Sequence, residues 1–338
     1  MFAVGSTFRQ RWTWSVVRLA MAVLVPATAS AQTPERAARV VYLSATGLSS
    51  ELMRQFEDAL RDAGWVSGRN LEIVYRSADG RYERLPALVD EVLRLKPQVI
   101  VASQAPTTQA LRKATDTIPI VMHGHGDPVR YGLVTNLARP EGNITGTSFQ
   151  VNEVGIKLLE LLKEAVPSVV RVAFFVNPEN PGASPLLEAV RRAAPGLGLQ
   201  IRPVEVIHTA GIERALDELA RERVDAIWIG PEAVLLVNRR LIVDFALRHR
   251  IPAVGPAPVF AEAGALMSYA PHGPTLTRAT VGYVDKLLKG ATPRDLPIER
   301  PTRFELVVNA RTARALGLTL PTALLVRIDR TIDQDPQR

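Results

Sequence analysis

The chain carries the same short pattern twice, at offsets of about 130 residues, roughly one domain length. Arg39-Val40 is echoed by Arg171-Val172, and Val99-Ile100-Val101 by Ile227-Trp228-Ile229. Thr117-Ile118-Pro119-Ile120-Val121 is echoed by Arg250-Ile251-Pro252-Ala253-Val254. The period is too long for a solenoid repeat, so it marks a duplicated unit of domain size. In the first copy, strands are predicted at Val40 to Leu43, Leu71 to Tyr75, Val99 to Val101 and Ile118 to Val121. Helices are predicted at Glu51 to Ala63, Leu85 to Leu95 and Thr107 to Ala114. The second copy predicts strands at Val172 to Val176, Leu199 to Val206, Ala226 to Ile229 and Ile251 to Val254. Its helices are Pro185 to Ala194, with Ser184 as N-cap, then Ile212 to Arg221 and Val234 to His249. Short uninterrupted apolar runs alternating with amphipathic stretches describe strands buried on both faces, hence parallel sheets covered by helices. The expected fold is α/β: two doubly wound, Rossmann-like lobes joined by a multi-strand hinge, with a ligand cleft between them.

A strand at Asn143 to Thr147 and a helix at Glu153 to Ala165 bridge the copies. A tail of strand (Ala265 to Tyr269), helix (Leu276 to Lys289), strand (Phe304 to Val308) and helix (Ala310 to Leu316) follows them. These pieces are too small for a third domain and are expected to cross back and complete both lobes. The expected organisation is a leader over residues 1–31, a first lobe of 38–147 plus 268–299, a second of 148–267 plus 300–328, and a tail of 329–338.

The leader reads as a secretory signal: Arg9, Arg11 and Arg18, a short apolar core from Leu19 to Val25, and Ala29-Ser30-Ala31 as the cleavage site. The expected destination is the periplasm, in soluble form after cleavage near Ala31. With no cysteine in the chain, disulfides, thiolate metal sites, a cysteine nucleophile and a lipid-modified cysteine are all excluded. Hydrophobic residues make up 47% and charged residues 22%, the balance of a soluble globular protein. The formal charge of +7 is scattered rather than grouped, so nucleic acid is not an expected partner.

No G-x-S-x-G, P-loop, H-E-x-x-H or post-strand G-x-G-x-x-G motif occurs, so neither an enzyme nor a cofactor is expected. His123, His125 and Asp127 alternate as metal ligands on one face of a strand would, but Gly124 and Gly126 suggest a loop, and no metal is expected. Candidate ligand-binding residues follow from topology alone. Ligands of parallel α/β sheets sit at the carboxyl ends of the strands, where helix N-termini offer free N–H groups. Those loops supply Ser44, Thr46, Ser103, Gln104, Thr107 and Asp127 from the first copy, and Asn177, Asn180 and Glu232 from the second. Asp127 is the expected partner of a ligand ammonium. Ser44, Thr46, Ser103, Gln104 and Thr107 are the expected donors to a carboxylate. The same residue types also cap helices and form turns.

Across nearly the whole mature chain the sequence resembles the ABC-transporter substrate-binding proteins whose characterised members include tryptophan- and tyrosine-type binders, with a type I periplasmic-binding-protein fold. The resemblance rests on Phe56 to Asn70 (FEDALRDAGWVSGRN), Tyr82 to Pro86 (YERLP), Ile118 to Val129 (IPIVMHGHGDPV), Arg139 to Gly146 (RPEGNITG) and Val176 to Pro181 (VNPENP). It continues through Gly264 to Tyr269 (GALMSY), Leu287 to Pro297 (LLKGATPRDLP), Pro301 to Asn309 (PTRFELVVN) and Ala315 to Leu318 (ALGL). It implies three lobe crossings, near Thr147, Met267 and Arg300. It also implies a monomeric binder of a small polar molecule, an amino acid or related carboxylate or amide, that closes on its ligand and serves an ABC permease with its ATPase. An exported sensor presenting the same kind of ligand to a signalling receptor is the other role such a fold serves.

Overall fold

The computed structural model describes residues 37–149 and 151–333. The leader and its cleavage site lie outside the described residues. The described residues group as one compact body containing two sheets.

The first sheet has strands β1 (Ala38–Ser44), β2 (Leu71–Ser77), β3 (Val99–Ser103), β4 (Ile120–His125) and β5 (Ile144–Ser148), all parallel in the order β2-β1-β3-β4-β5. Between them run α1 (Ser50–Asp62), α2 (Leu85–Arg94) and α3 (Ala105–Ala114). Then α4 (Val151–Ala165) leads to the second sheet. Its parallel part is β6 (Arg171–Val176), β7 (Gln200–Glu205), β8 (Ala226–Ile229), β9 (Ala253–Gly255) and β10 (Met267–Pro271), in the order β7-β6-β8-β9-β10. Helices α5 (Ala183–Ala193), α6 (Thr209–Leu219), α7 (Ala233–Val237), α8 (Arg239–Arg248) and α9 (Pro258–Ala263) connect these strands, and α10 (Gly273–Leu288) follows β10. The strand order is the same in both sheets, so the sequence repeat is a repeat of topology. Antiparallel β11 (Phe304–Asn309) adds to β10; after α11 (Ala310–Ala315) and α12 (Thr322–Leu325), β12 (Arg330–Ile332) pairs with β11.

Each strand's period of two sorts its side chains between two cores. In β1, Val40 and Tyr42 pack with Phe56 and Leu60 of α1 and Val281 and Val284 of α10. Val41 and Leu43 pack on the other face with Leu88 and Val89 of α2 and Leu111 of α3. Each fully buried aliphatic side chain of this kind contributes about 1.5–3 kcal/mol. The second sheet repeats the arrangement, with Trp228 stacked on Phe174 at 4.4 Å.

The chain passes between the sheets three times. After β5 it enters α4, whose Leu158, Leu161 and Leu162 join the core around Phe174 and Trp228. After β10 it enters α10, which packs on the first sheet against α1. It then runs beside β5, where Glu299 bridges Thr147, and returns to β11. The second passage lies beyond the expected position at Met267. Residues 268–271, expected in the first lobe, pair with β11 because β10 needs its whole length to complete the second sheet. Arg330–Ile332, expected in the tail, form an edge strand.

Three local expectations also change. The helix expected from Pro185 begins at Ala183 with Gly182 as N-cap, so Ser184 lies inside it. The helix expected over Val234 to His249 breaks at Asn238, whose side chain donates to the Val234 carbonyl at 2.8 Å. The expected loop at His123 to His125 is the end of β4, carrying a register shift between Met122 and His125. Among the described residues no helix is long and apolar enough to cross a membrane.

Candidate functional site

The carboxyl ends of the two sheets meet around a cavity of about 280 Å³. Thr46, Ser103, Gln104 and His123 line it from the first sheet; Pro231, Pro256 and Phe260 line it from the second. Phe149, after β5, and Leu276, in α10, come from the crossing segments. A smaller recess continues from it, sharing Gln104, Gly124, Phe149 and Pro231 and adding Tyr131 and Asn180.

On the first sheet, Ser44 ends β1 and its Oγ accepts the Thr46 amide at 3.1 Å. The two hydroxyls lie 3.2 Å apart, so Ser44 stands behind Thr46 rather than in the cavity wall. Gln104 is the N-cap of α3 with φ 71° and ψ 154°. That backbone region is almost confined to glycine and costs a non-glycine residue about 1–3 kcal/mol. Its Oε1 is buried without a partner. Gln104 therefore brings a strained backbone and an unpaired acceptor to the cavity wall, the kind of residue that clusters at ligand sites. Thr107 departs from expectation. It lies in the first turn of α3, fully buried and not among the residues lining the cavity, because the helix begins at Ala105 and turns it inward.

The histidines part company. Gly124 has φ +65°, and the bulge it permits breaks the alternation of the strand. His123 turns to the Tyr42 face, with Nδ1 2.6 Å from the phenol oxygen. His125 turns to the α3 face, with Nε2 2.9 Å from the Thr108 hydroxyl. They do not converge as a ligand pair. Burial pushes His123 down to about 4 and His125 down to about 3, so both rings are neutral at physiological pH.

Asp127 is exposed, and its Oδ1 accepts the amides of Val129 and Arg130, each at 3.1 Å. It borders a separate recess with Asn152 and Arg300. The Asp-Pro-Val-Arg segment turns here, and the carboxylate is spent on that turn. Asp127→Ala should cost about 1 kcal/mol of unliganded stability, as loss of a cap does. The expected ligand affinity is unchanged, measured by comparing melts with and without ligand.

On the second sheet, Asn177, Asn180 and Glu232 form one cluster. Asn177 Oδ1 accepts the Glu179 amide at 2.9 Å, setting the turn. Asn180 lines the recess, with Oδ1 accepting the Gly182 amide at 3.0 Å and Nδ2 donating to Glu232 Oε2 at 2.6 Å. Glu232 is 0% exposed, and its Oε1 has no partner. Burial pushes its carboxyl up to about 8, against hydrogen bonds from Asn180 and the Asn177 amide that lower it.

Three residues from the first unit reach across to the second. The Tyr82 hydroxyl accepts the Ala233 amide at 3.4 Å. Tyr131 lies against Gly182, where an added Cβ would sit 2.7 Å from the phenol oxygen. Arg130 pairs with Glu188 of α5 at 2.8 Å. Sequence reasoning missed Tyr131, Phe149 and Phe260 as wall residues, because an aromatic residue in a loop or short helix carries no local mark of facing a cleft.

Two parallel α/β units of one topology, joined by three passages with a cavity between their strand ends, define a bilobed solute-binding protein of the periplasmic type. The chain belongs to the ABC transporter substrate binding protein family, whose pattern it matches over residues 40–332. It is similar to the Tyrosine-binding protein of Clostridioides difficile, 23% identical over 263 residues, covering 78% of this chain and 75% of that one. Among solved structures it resembles an ABC domain in complex with L-Trp from Streptococcus pneumoniae, at TM-score 0.81 and 24% identity, covering 88% of this chain and all of that one. A conserved domain protein from Vibrio cholerae has TM-score 0.80 at 28% identity, with 88% of this chain and all of that one covered.

Proposed function

We propose that the protein is the exported solute receptor of an ABC importer, closing two lobes on one small amino acid with an apolar, best an aromatic, side chain. The observation that carries this reading is the division of the cavity wall. Phe149, Phe260, Leu276 and the prolines Pro231 and Pro256 offer apolar surface, while Thr46, Ser103, Gln104 and His123 gather polar groups on the first sheet. A few placed polar groups in an apolar wall suit a small zwitterion with an apolar body. The names of the relatives, one tyrosine-binding and one solved with L-Trp, support the same class.

On this reading the leader is cut near Ala31 and the mature chain is a soluble periplasmic monomer. One lobe is 38–147 with 272–299, and the other runs through the second sheet to residue 332. They swing about the three passages, and the closed form docks on a permease and its ATPase. A thermal-shift screen of the twenty amino acids tests the ligand class. A true ligand at 100 times its Kd adds about 2.7 kcal/mol. L-Tryptophan and L-tyrosine are expected to raise the melting temperature. If no amino acid does so, and mass spectrometry finds none retained by the purified protein, the reading fails. Co-purification of a permease with its ATPase tests the transport role.

A further inference from the structure

We propose that His123 is a ligand-contacting residue whose imidazole, held by Tyr42, donates from Nε2–H to the carboxylate of the bound molecule. The proposal rests on the amino-acid-binding reading above and adds the residue that holds the acid end. Among the described residues lining the 280 Å³ cavity there is no lysine or arginine, so a carboxylate there is held by neutral donors. Three side chains can supply them from this edge of the first sheet: the Thr46 hydroxyl, the Gln104 amide and the His123 ring.

The ring is fixed on one side only. Its Nδ1 lies 2.6 Å from the Tyr42 hydroxyl, and the two rings meet edge to face at 5.8 Å. Tyr42 cannot follow a moving partner. It is 1% exposed in β1, an inner strand paired on both sides, and packs edge-on against Phe56 at 5.2 Å. Ser103 is a second hydrogen-bond partner of the same phenol. With the Ser103 hydroxyl donating to the phenol oxygen, the Tyr42 hydrogen goes to Nδ1. The ring hydrogen then sits on Nε2, the nitrogen left for the cavity. Burial keeps the ring neutral down to about pH 4, so the donor persists throughout the physiological range. Gly124 completes the arrangement, since its bulge turns His123, and not His125, to this face.

Isosteric variants separate the two ring nitrogens. Asparagine places an amide near the Nδ1 position, and glutamine places one near Nε2. With L-tryptophan and L-tyrosine as probes, His123→Asn should weaken binding 10- to 100-fold, the usual worth of a hydrogen bond to a charged group. His123→Gln should recover most of the loss. Tryptamine, which lacks the carboxylate, should bind wild type and His123→Asn equally. Tyr42 is a positioning residue: Tyr42→Phe should weaken L-tryptophan several-fold. Nitrogen NMR should find a single Nε2–H tautomer in the wild type and a mixture in Tyr42→Phe. An Nδ1–H tautomer in the wild type, or undiminished L-tryptophan and L-tyrosine binding by His123→Asn, would overturn the assignment while leaving the binding role intact. If neither probe binds wild type, the aromatic amino-acid reading and this assignment fall together. Should His123→Asn fail to fold, His123→Gln binding and the wild-type tautomer decide the matter.

Discussion

Unliganded wild-type protein should be most stable near pH 6.5 and lose about 2 kcal/mol between there and pH 8, and Glu232→Gln should abolish that loss. The Glu232 carboxyl has an ordinary value of 4.5 in the unfolded chain, and burial pushes it up to about 8 in the fold. Between those values the folded state holds a proton that the unfolded chain has released. Its contribution is complete below about 4.5 and is lost as pH rises through about 8. His123 and His125 act with the opposite sign. Their folded values, about 4 and about 3, lie below the ordinary 6.5, so their contribution is complete above 6.5 and is lost as pH falls. Two histidine slopes outweigh one carboxyl slope on the acid side, and only the carboxyl acts on the other side. Hence the maximum falls near 6.5. Glutamine suits the site because the amide oxygen can replace Oε2 under Asn180 and the amide nitrogen can replace the unpartnered Oε1. Chemical denaturation of both proteins from pH 5 to 9 measures the effect. A wild-type curve flat from 6.5 to 8 would show that Glu232 is hydrated in solution.

Glu232 also illustrates what the sequence conceals. Its place at a strand end was legible, and so was its grouping with Asn177 and Asn180, because the β8 and β6 loops of a doubly wound sheet are neighbours. That the carboxyl is fully buried, next to an Ala233 amide that donates to Tyr82 from the other sheet's side, is a property of the folded chain that no local pattern encodes. The fold itself was far more readable. Apolar runs such as Val40-Val41-Tyr42-Leu43 can be buried on both faces only in a covered sheet, and their repetition fixed the duplication.

The failures share a cause. Gly124 and Gly126 suggested a loop at His123 to His125, whereas β4 continues to His125 and a single left-handed glycine turns the two rings to opposite faces. Ser184 looked like a cap because Pro185 followed it, but the Asn180 turn hands the role to Gly182. Asp127 looked like an ammonium partner from its residue type alone, whereas the Pro128 turn takes up its oxygen. Gln104 was chosen as one polar loop residue among several. Its strained backbone and empty acceptor are what set it apart, and both are properties of the folded chain.

Gly182→Leu should weaken L-tryptophan at least 100-fold while leaving the unliganded melt within about 0.5 kcal/mol of wild type, as for a surface substitution away from the core. Gly182 has φ −80° and ψ −14°, a conformation any residue adopts, so the substitution strains nothing in its own lobe. The obstacle lies across the cleft. A Cβ at this position would already stand 2.7 Å from the Tyr131 hydroxyl and 3.2 Å from its ring carbon. For alanine the phenol can swing aside at modest cost. Leucine adds three more carbons in the same direction, and on the other side Tyr131 is held against Gly126, where a Cβ would lie 2.3 Å from the same oxygen. Tyr131 therefore has little room to retreat, and the lobes must stay apart. Because ligand affinity is reduced by the fraction of molecules able to close, holding that fraction near one per cent costs 100-fold. Tyr131→Ala in the Gly182→Leu background removes the obstruction and should restore closure. Recovery of affinity in that double variant would identify the leucine as a wedge between lobes; no recovery would mean that it fills the ligand's own space beside Asn180.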